Sequence, residues 1–354
     1  MTRQLDDNHW PFLNYELPRL NKLSSNLYGA SFYLMKLLPA RYILQKAYEQ
    51  GKIKRGSRIF ETTSGTFGLA LAMLSAVKGY KLKLISDPVI DKRLYNRLKD
   101  LGTQVEIIST PHPTGGFQQA RLDRLNELLN QNPDAFCPNQ YSNVYNPKSY
   151  KKVGQFIMDE LSCIDYLVGP VGSGGSMVGT TTFLREYFPN LKVIGVDTCN
   201  SILFGQKDGT RKLRGLGNSI MPPNLNHTVF DFVSWVPAGI AFKATRKLHQ
   251  NHGLYMGGTS GAAYLVGNWI ADKYPNKKVV VFFPDEGHRY ADTIYNDQWL
   301  KDIPRAFEQI PDEPKIVSKP RDDEESWTII NWNRQSIENV MNEMKNEKLL
   351  KSTI

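Results

Sequence analysis

The feature that most constrains the fold is a recurring unit: a short apolar segment, a loop of glycine and hydroxyl residues, and an amphipathic stretch. The apolar segments that open such units lie at 58–60, 82–85, 104–108, 166–168 and 193–196. Alternating strand and helix patterns are typical of a parallel, doubly wound α/β sheet. The continuous apolar run Val279–Phe283 predicts a central strand that is buried on both faces.

The unit is interrupted near residues 140–152 and then restarts, which predicts two α/β domains with a cleft between them. Ligands bind such folds at the carboxyl ends of the strands, so we expect the functional loops there. After about Pro311 the chain is rich in charge and predicts a linker. Beyond it, Ile337, Val340, Met341 and Met344 recur at helical spacing, and this predicted C-terminal helix either packs on the body or binds a partner.

Composition excludes several classes of protein. The chain has 354 residues, of which 41% are hydrophobic, and this is enough for two domain cores. No run of apolar residues is long enough to span a membrane, and the first residues carry no apolar signal, so we expect a cytoplasmic protein without membrane contact. The net charge of +9 is spread over scattered basic residues, so we do not expect nucleic-acid binding.

The cysteines and histidines indicate neither a disulfide framework nor a metal site. The three cysteines, Cys137, Cys163 and Cys199, are far apart and odd in number, which argues against a disulfide framework. His249 and His252 precede Gly253, where histidines favour a helix C-terminus, so we expect no metal site.

The strongest motif is the loop Gly172-Ser173-Gly174-Gly175-Ser176, between a predicted strand and a predicted helix. Glycines let backbone N–H groups point at an anion, and a helix start adds partial positive charge. The spacing matches neither a P-loop nor a dinucleotide fingerprint. A phosphate cradle is the prediction that we favour over a flexible turn.

Three further loops follow predicted strands. Thr63-Ser64-Gly65-Thr66 offers hydroxyl and N–H groups that suit a carboxylate, although the same residues could merely cap a helix. Residues 257–263 form a similar glycine and hydroxyl loop. Residues 284–290 place charged side chains directly after the buried apolar strand, where we expect them to face the cleft.

The order of these loops resembles the cysteine synthase and cystathionine β-synthase family of pyridoxal 5′-phosphate (PLP) enzymes, of fold type II, over roughly residues 18–298. The segments that carry the resemblance are Lys36-Leu37-Leu38-Pro39-Ala40, Thr63 to Gly68, Asn139-Gln140-Tyr141, Gly172 to Ser176, Gly215-Leu216-Gly217, Thr259 to Ala263 and Gly287 to Tyr290. The chain departs from the family pattern at Thr66, where the family has asparagine, and the segment before Lys36 is short, which implies trimmed first strands.

The resemblance implies roles for particular residues. Lys36 would form the Schiff base with PLP, and its apolar neighbours would lower the pKa of its amine. From its neighbours alone, Lys36 could equally be a surface lysine of an amphipathic helix. The residues implied to hold the cofactor are Lys36, Thr66, Gly172, Ser173, Gly174, Gly175, Ser176 and Glu286. The residues implied to bind the substrate are Thr63, Ser64, Gly65, Thr66, Gln140 and Gly215. A carboxylate from Glu286 at the pyridine nitrogen would strengthen the cofactor as an electron sink; alternatively, the Glu286 side chain points to solvent.

The resemblance also implies domains and a reaction. We assign residues 1–45 and 151–310 to a large PLP-binding domain, 46–150 to a smaller, mobile α/β domain and 311–354 to a charged extension with a helix. The implied activity is β-replacement on an O-activated serine-type amino acid, through an aminoacrylate, with a small nucleophile and in a homodimer. The alternatives are a β-elimination lyase, deaminase or racemase, and a regulatory protein with little catalysis.

Overall fold

The computed structural model describes residues 10 and 12–343. Its strands are β1 (Arg19–Lys22), β2 (Leu27–Ser31), β3 (Arg58–Thr62), β4 (Lys81–Ser86), β5 (Gln104–Ile107), β6 (Tyr166–Pro170), β7 (Lys192–Asp197), β8 (Phe232–Trp235), β9 (Val279–Phe283), β10 (Lys315–Ile316) and β11 (Thr328–Asn331). Its helices are α1 (Leu37–Glu49), α2 (Thr66–Lys78), α3 (Lys92–Asp100), α4 (Gly116–Gln131), α5 (Tyr145–Ser149), α6 (Lys151–Glu160), α7 (Gly175–Tyr187), α8 (Ala238–His252), α9 (Gly258–Lys273) and α10 (Asp297–Leu300).

The larger of two sheets has the strand order β1-β2-β9-β6-β7-β8-β11-β10. Its centre, from β2 to β8, is parallel, while β1 and β11 pair antiparallel with their inner neighbours. Every residue of β9 is buried, as the apolar run predicted, because helices cover both faces of the sheet. The α/β fold with a largely parallel sheet is thereby confirmed.

The smaller sheet has the parallel order β3-β4-β5. Helix α2 has an apolar, almost fully buried sequence and fills the space beside this sheet. Helix α3 buries only Leu94 and Leu98, and its N-cap Asp91 accepts a hydrogen bond from the Leu94 N–H at 2.7 Å. A surface helix therefore borders the cleft on this side.

Two segments are more ordered than their sequence indicated. The short segment before Lys36 still forms β1 and β2, so the expectation of trimmed first strands is wrong. Strand β11 pairs with β8, and β10, within the predicted linker, pairs with β11, with Lys315 opposite Thr328. These two strands therefore extend the larger sheet. Residues 337–343 are helical, and Met344 of the predicted C-terminal helix lies outside the described residues.

The apolar cores lie on the two faces of the larger sheet and beside the smaller one. Trp235, Phe282 and Trp332 belong to one of them, and Phe67 with Leu84 to another. None of the helices within residues 12–343 has the length and apolar character that crossing a membrane requires.

Candidate active site

Lys36 lies between β2 and α1, at the carboxyl end of the larger sheet. The Met35 N–H donates to the Pro284 carbonyl at 2.8 Å, and this bond anchors the lysine beside the end of β9. The Lys36 Nζ donates to the Ser173 Oγ at 3.3 Å. Removal from water lowers the pKa of the Lys36 amine to about 8, so a larger fraction of this amine is neutral at physiological pH than is usual for lysine.

The glycine loop joins β6 to α7 in a space that excludes side chains. A Cβ at Gly174, whose φ is +81°, would lie 2.8 Å from the Leu225 Cα, and a Cβ at Gly172 would lie 3.2 Å from the Gly215 carbonyl oxygen. The Val178 N–H bonds the Gly174 carbonyl as α7 begins. The N–H groups of residues 175–177 therefore have no acceptor within the helix and can bind an anion.

Asn146 holds the glycine loop against the smaller-sheet side of the cleft. A Cβ at Gly175 would lie 2.2 Å from the Asn146 Oδ1, so only glycine fits beside this amide. The Asn146 Nδ2 donates to the Gln140 carbonyl at 2.6 Å and lies 3.5 Å from the Ser173 Oγ. Sequence reasoning missed Asn146, because its distance along the chain from the loop hides the contact.

The hydroxyl loop, Thr63 to Thr66, runs from the end of β3 into α2. The Thr63 N–H donates to the Ile85 carbonyl at 3.0 Å, and its Oγ1 accepts the Gly65 N–H at 3.1 Å. Thr63 is buried, whereas Ser64, Gly65 and Thr66 are partly exposed. The hydroxyl of Thr63 therefore shapes the loop, and the three following residues present polar groups to the cleft.

Gln140 and Gly215 come from two different segments near the glycine loop. Gln140 is buried, and within the described chain its side-chain amide forms no hydrogen bond. Gly215, with a φ of +78°, lies against Gly172, and the Gly217 N–H bonds the Val171 carbonyl at 3.0 Å. The structure thus brings the predicted lysine, glycine loop and substrate loops to one cleft.

Glu286, which the resemblance assigned to the cofactor, lines the cavity of the cleft but pairs its carboxylate with Arg19 instead of leaving it free for a ring nitrogen. Its Oε1 accepts a hydrogen bond from the Arg19 Nη2 at 2.8 Å at the rim of the cleft, and its Oε2 lies 3.6 Å from the His288 Nε2. The residue before it, Asp285, is 4% exposed, and its Oδ2 accepts the Tyr290 hydroxyl at 2.7 Å. Asp285 is therefore the buried acid at the end of β9, and removal from water raises the pKa of its carboxyl. The alternation of side chains after the strand separates the two acids but does not say which of them is buried.

A cavity of about 490 Å³ adjoins Thr66 and Asp285. Its walls include Arg93, Arg97 and Arg289. Ion pairs join its two sides: Arg289 contacts Asp91 at 2.8 Å, and Arg93 contacts Asp292 at 2.7 Å. On the substrate-loop side, the buried Arg121 lies 3.1 Å from Asp87 and keeps its Nε without a hydrogen-bond partner in the described residues. Arginine side chains therefore line the cavity together with the acids Asp285 and Glu286.

These residues fit PLP. The glycine loop provides a cradle in which a side chain would collide with its neighbours, and its free N–H groups suit the cofactor's phosphate. The amine of Lys36, with its lowered pKa, suits an imine with the cofactor's aldehyde. The buried carboxyl of Asp285 lies in the cavity lining beside Thr66.

The fold and this cleft define a fold type II PLP enzyme. The sequence matches the family model described as pyridoxal-phosphate dependent enzyme over residues 20–285, and this chain belongs to that family. PLP is the cofactor of the family, and the resemblance to the cysteine synthase type is confirmed.

Solved structures of related enzymes share the fold. A hydrogen sulfide-producing enzyme from Fusobacterium nucleatum is 28% identical, with a TM-score of 0.70 over 78% of this chain and 96% of that chain. An O-acetylserine dependent cystathionine β-synthase from Helicobacter pylori is 27% identical, with a TM-score of 0.70 over 80% of this chain and 92% of that one. O-ureido-L-serine synthase, at 22% identity, has a TM-score of 0.73 over 81% of this chain and 95% of that one, and this shows the fold alone.

Proposed function

We propose that this enzyme catalyses β-replacement on an O-activated serine-type amino acid, with a small nucleophile as second substrate. The observation that carries the proposal is the convergence of the Lys36 amine, 3.3 Å from Ser173, with the glycine loop in one cleft. The similar enzymes from Helicobacter pylori and Fusobacterium nucleatum, named for O-acetylserine and hydrogen sulfide, support this substrate class.

Bound PLP supplies the electron sink that makes the Cα–H bond of an amino acid acidic. Lys36 is the base that takes this proton, because its pKa of about 8 leaves part of the amine neutral near physiological pH. The Ser173 hydroxyl holds the Lys36 Nζ at the mouth of the glycine loop. Residues Gly172 to Ser176 bind the phosphate through backbone N–H groups and hydroxyls.

The hydroxyl loop and Gln140 bind the carboxylate of the substrate. Ser64, Gly65 and Thr66 present donors at the start of α2, where the helix dipole also favours an anion. The buried Gln140 amide adds a further donor, and Gly215 leaves room for the substrate against Gly172. We assign Thr66 to the cofactor's phenolic oxygen.

A second candidate reaction, β-elimination with release of the product to water, is favoured by Asp285. An ionised carboxylate held at the cofactor's ring nitrogen would favour the protonated nitrogen and would strengthen the electron sink beyond what a hydroxyl provides. We place Asp285, rather than Glu286, in this role. Formation of pyruvate and ammonia without an added nucleophile would identify this reaction.

The test of the proposed function is spectral. Purified protein should carry visible PLP absorbance, and O-acetylserine, O-phosphoserine or serine should change it, with recovery when a thiol nucleophile is added. Lys36→Ala should abolish the wild-type absorbance and turnover. A protein that binds no PLP would refute the proposal, whereas turnover without any need for a nucleophile would establish elimination instead.

A further inference from the structure

A buried carboxylate joins the two segments that carry the substrate donors. Glu61 lies in β3, just before the hydroxyl loop, and is 1% exposed. Its Oε1 accepts the Thr62 N–H at 2.8 Å, and its Oε2 accepts the Gln140 N–H at 3.2 Å. The Asn139 N–H also lowers the pKa of this carboxyl. One side chain therefore bridges the strand of the hydroxyl loop and the Gln140 segment.

The carbonyl group of Gln140 is held by hydrogen bonds as well. The Gln140 carbonyl accepts the Nδ2 of Asn146 at 2.6 Å and that of Asn224 at 3.1 Å. The preceding Asn139 has a φ of +49°, a left-handed conformation that needs support from its surroundings in a non-glycine residue. Glu61 and the two asparagines thus fix the Gln140 backbone while its side-chain amide remains available.

The contacts continue to the predicted catalytic lysine. The Asn146 Nδ2 lies 3.5 Å from the Ser173 Oγ, which in turn accepts the Lys36 Nζ at 3.3 Å. A path of polar contacts consequently runs from Glu61 through Gln140, Asn146 and Ser173 to Lys36. The substrate loops and the lysine share one connected support.

We propose that Glu61 is a positioning residue, which sets the Gln140 amide and the hydroxyl loop in register to bind the substrate carboxylate. This inference rests on the proposed function, in which Gln140 contacts the substrate. Glu61 itself is too deeply buried behind the two loops to serve as the substrate-binding group.

The burial of a carboxylate argues against a merely space-filling role. Desolvation raises the pKa of Glu61 to about 7, and an apolar side chain of the same size would avoid this unfavourable term. The charged and titratable groups that face it are Arg121 of α4, which is paired with Asp87, and Cys137 and Tyr141 beside the Gln140 segment. Arg121 and the backbone N–H groups favour the ionised form, which can accept from two segments at once.

The test is Glu61→Gln in the holoenzyme, with the exposed Glu49→Gln as matched control. Glutamine keeps the size but offers an acceptor oxygen to only one of the two N–H groups. Since a lost hydrogen bond to a charged group changes affinity by roughly tenfold or more, KM for the amino-acid substrate should rise about tenfold while kcat stays within about twofold. The wild-type KM should rise as pH falls below 7, and the variant should lack this dependence. Glu49→Gln should match the wild type throughout.

Amide hydrogen exchange provides a second readout that does not need turnover. Residues 139–146 should exchange faster in Glu61→Gln, while the glycine loop and the PLP absorbance stay unchanged. If Glu61→Gln does not fold, Glu61→Asp keeps the charge with a shorter reach and should give an intermediate KM. An unchanged KM, or a joint loss of kcat and PLP absorbance, would overturn the inference. If the wild type lacks PLP, the proposed function fails. Amide hydrogen exchange and the affinity for L-serine, measured by calorimetry, then still test the role of Glu61.

Discussion

Substitution of Gly174 by alanine tests the phosphate cradle most directly. Gly174 has a φ of +81°, and an alanine Cβ there would lie 2.8 Å from the Leu225 Cα, a backbone atom that cannot swing aside. The left-handed conformation costs an L-residue about 1–2 kcal/mol, and forced overpacking costs about 1–3 kcal/mol. The free energy of unfolding should therefore fall by about 2–5 kcal/mol.

Gly51→Ala is the matched control for this change. Gly51 has a φ of +69°, but no atom lies within 4 Å of the position that an alanine Cβ would take, so only the conformational cost of about 1–2 kcal/mol applies. Urea unfolding of the cofactor-free variants measures both losses, and absorbance titration measures PLP affinity. PLP affinity should fall at least tenfold in Gly174→Ala and stay unchanged in Gly51→Ala. Equal losses of stability and affinity in the two variants would refute a crowded cradle at Gly174.

Three further outcomes are expected. Reaction of Lys36 with PLP, followed by absorbance, should show a midpoint near pH 8, and a midpoint near pH 10.5 would contradict burial of the amine. Asp285→Asn should shift the PLP absorbance and slow elimination about tenfold or more, because an amide cannot hold the ring nitrogen protonated, whereas the rim variant Glu286→Gln should change neither. The pKa of Asp197 is raised to about 7 by burial, so its contribution to stability is fully present below pH 3.8 and is lost as pH rises through 7. In urea unfolding, the wild type should lose about 2 kcal/mol more of its free energy of unfolding than Asp197→Asn when the pH is raised from 5 to 8, about half of the upper bound that the pKa shift sets. An equal change in both proteins would contradict this assignment.

Several features could be predicted because they depend on local pattern. The run Val279–Phe283 has no polar face, so it could only become a strand covered on both sides. The glycine loop needs residues that tolerate crowding and positive φ at the start of a helix, and this requirement is visible in Gly172 to Ser176. The resemblance added Lys36, which its own neighbours indicated only weakly.

Other features depend on which distant segments meet. Asn146 touches Gly175, and Glu61 touches the Gln140 N–H, across intervals that no local pattern encodes. The order of β8, β11 and β10 likewise joins segments that are far apart in the chain.

The amino-acid sequence by itself determined the alternating strands and helices and predicted a phosphate-binding loop, because these follow from periodicity and from backbone sterics, while the resemblance of its motifs to a known family indicated the cofactor. Only the tertiary structure decided which of two neighbouring acids is buried. Asp285 and Glu286 are neighbours of similar chemistry, but successive side chains point to opposite sides as the chain leaves β9. Asp285 turns inward to Tyr290, and Glu286 turns outward to Arg19.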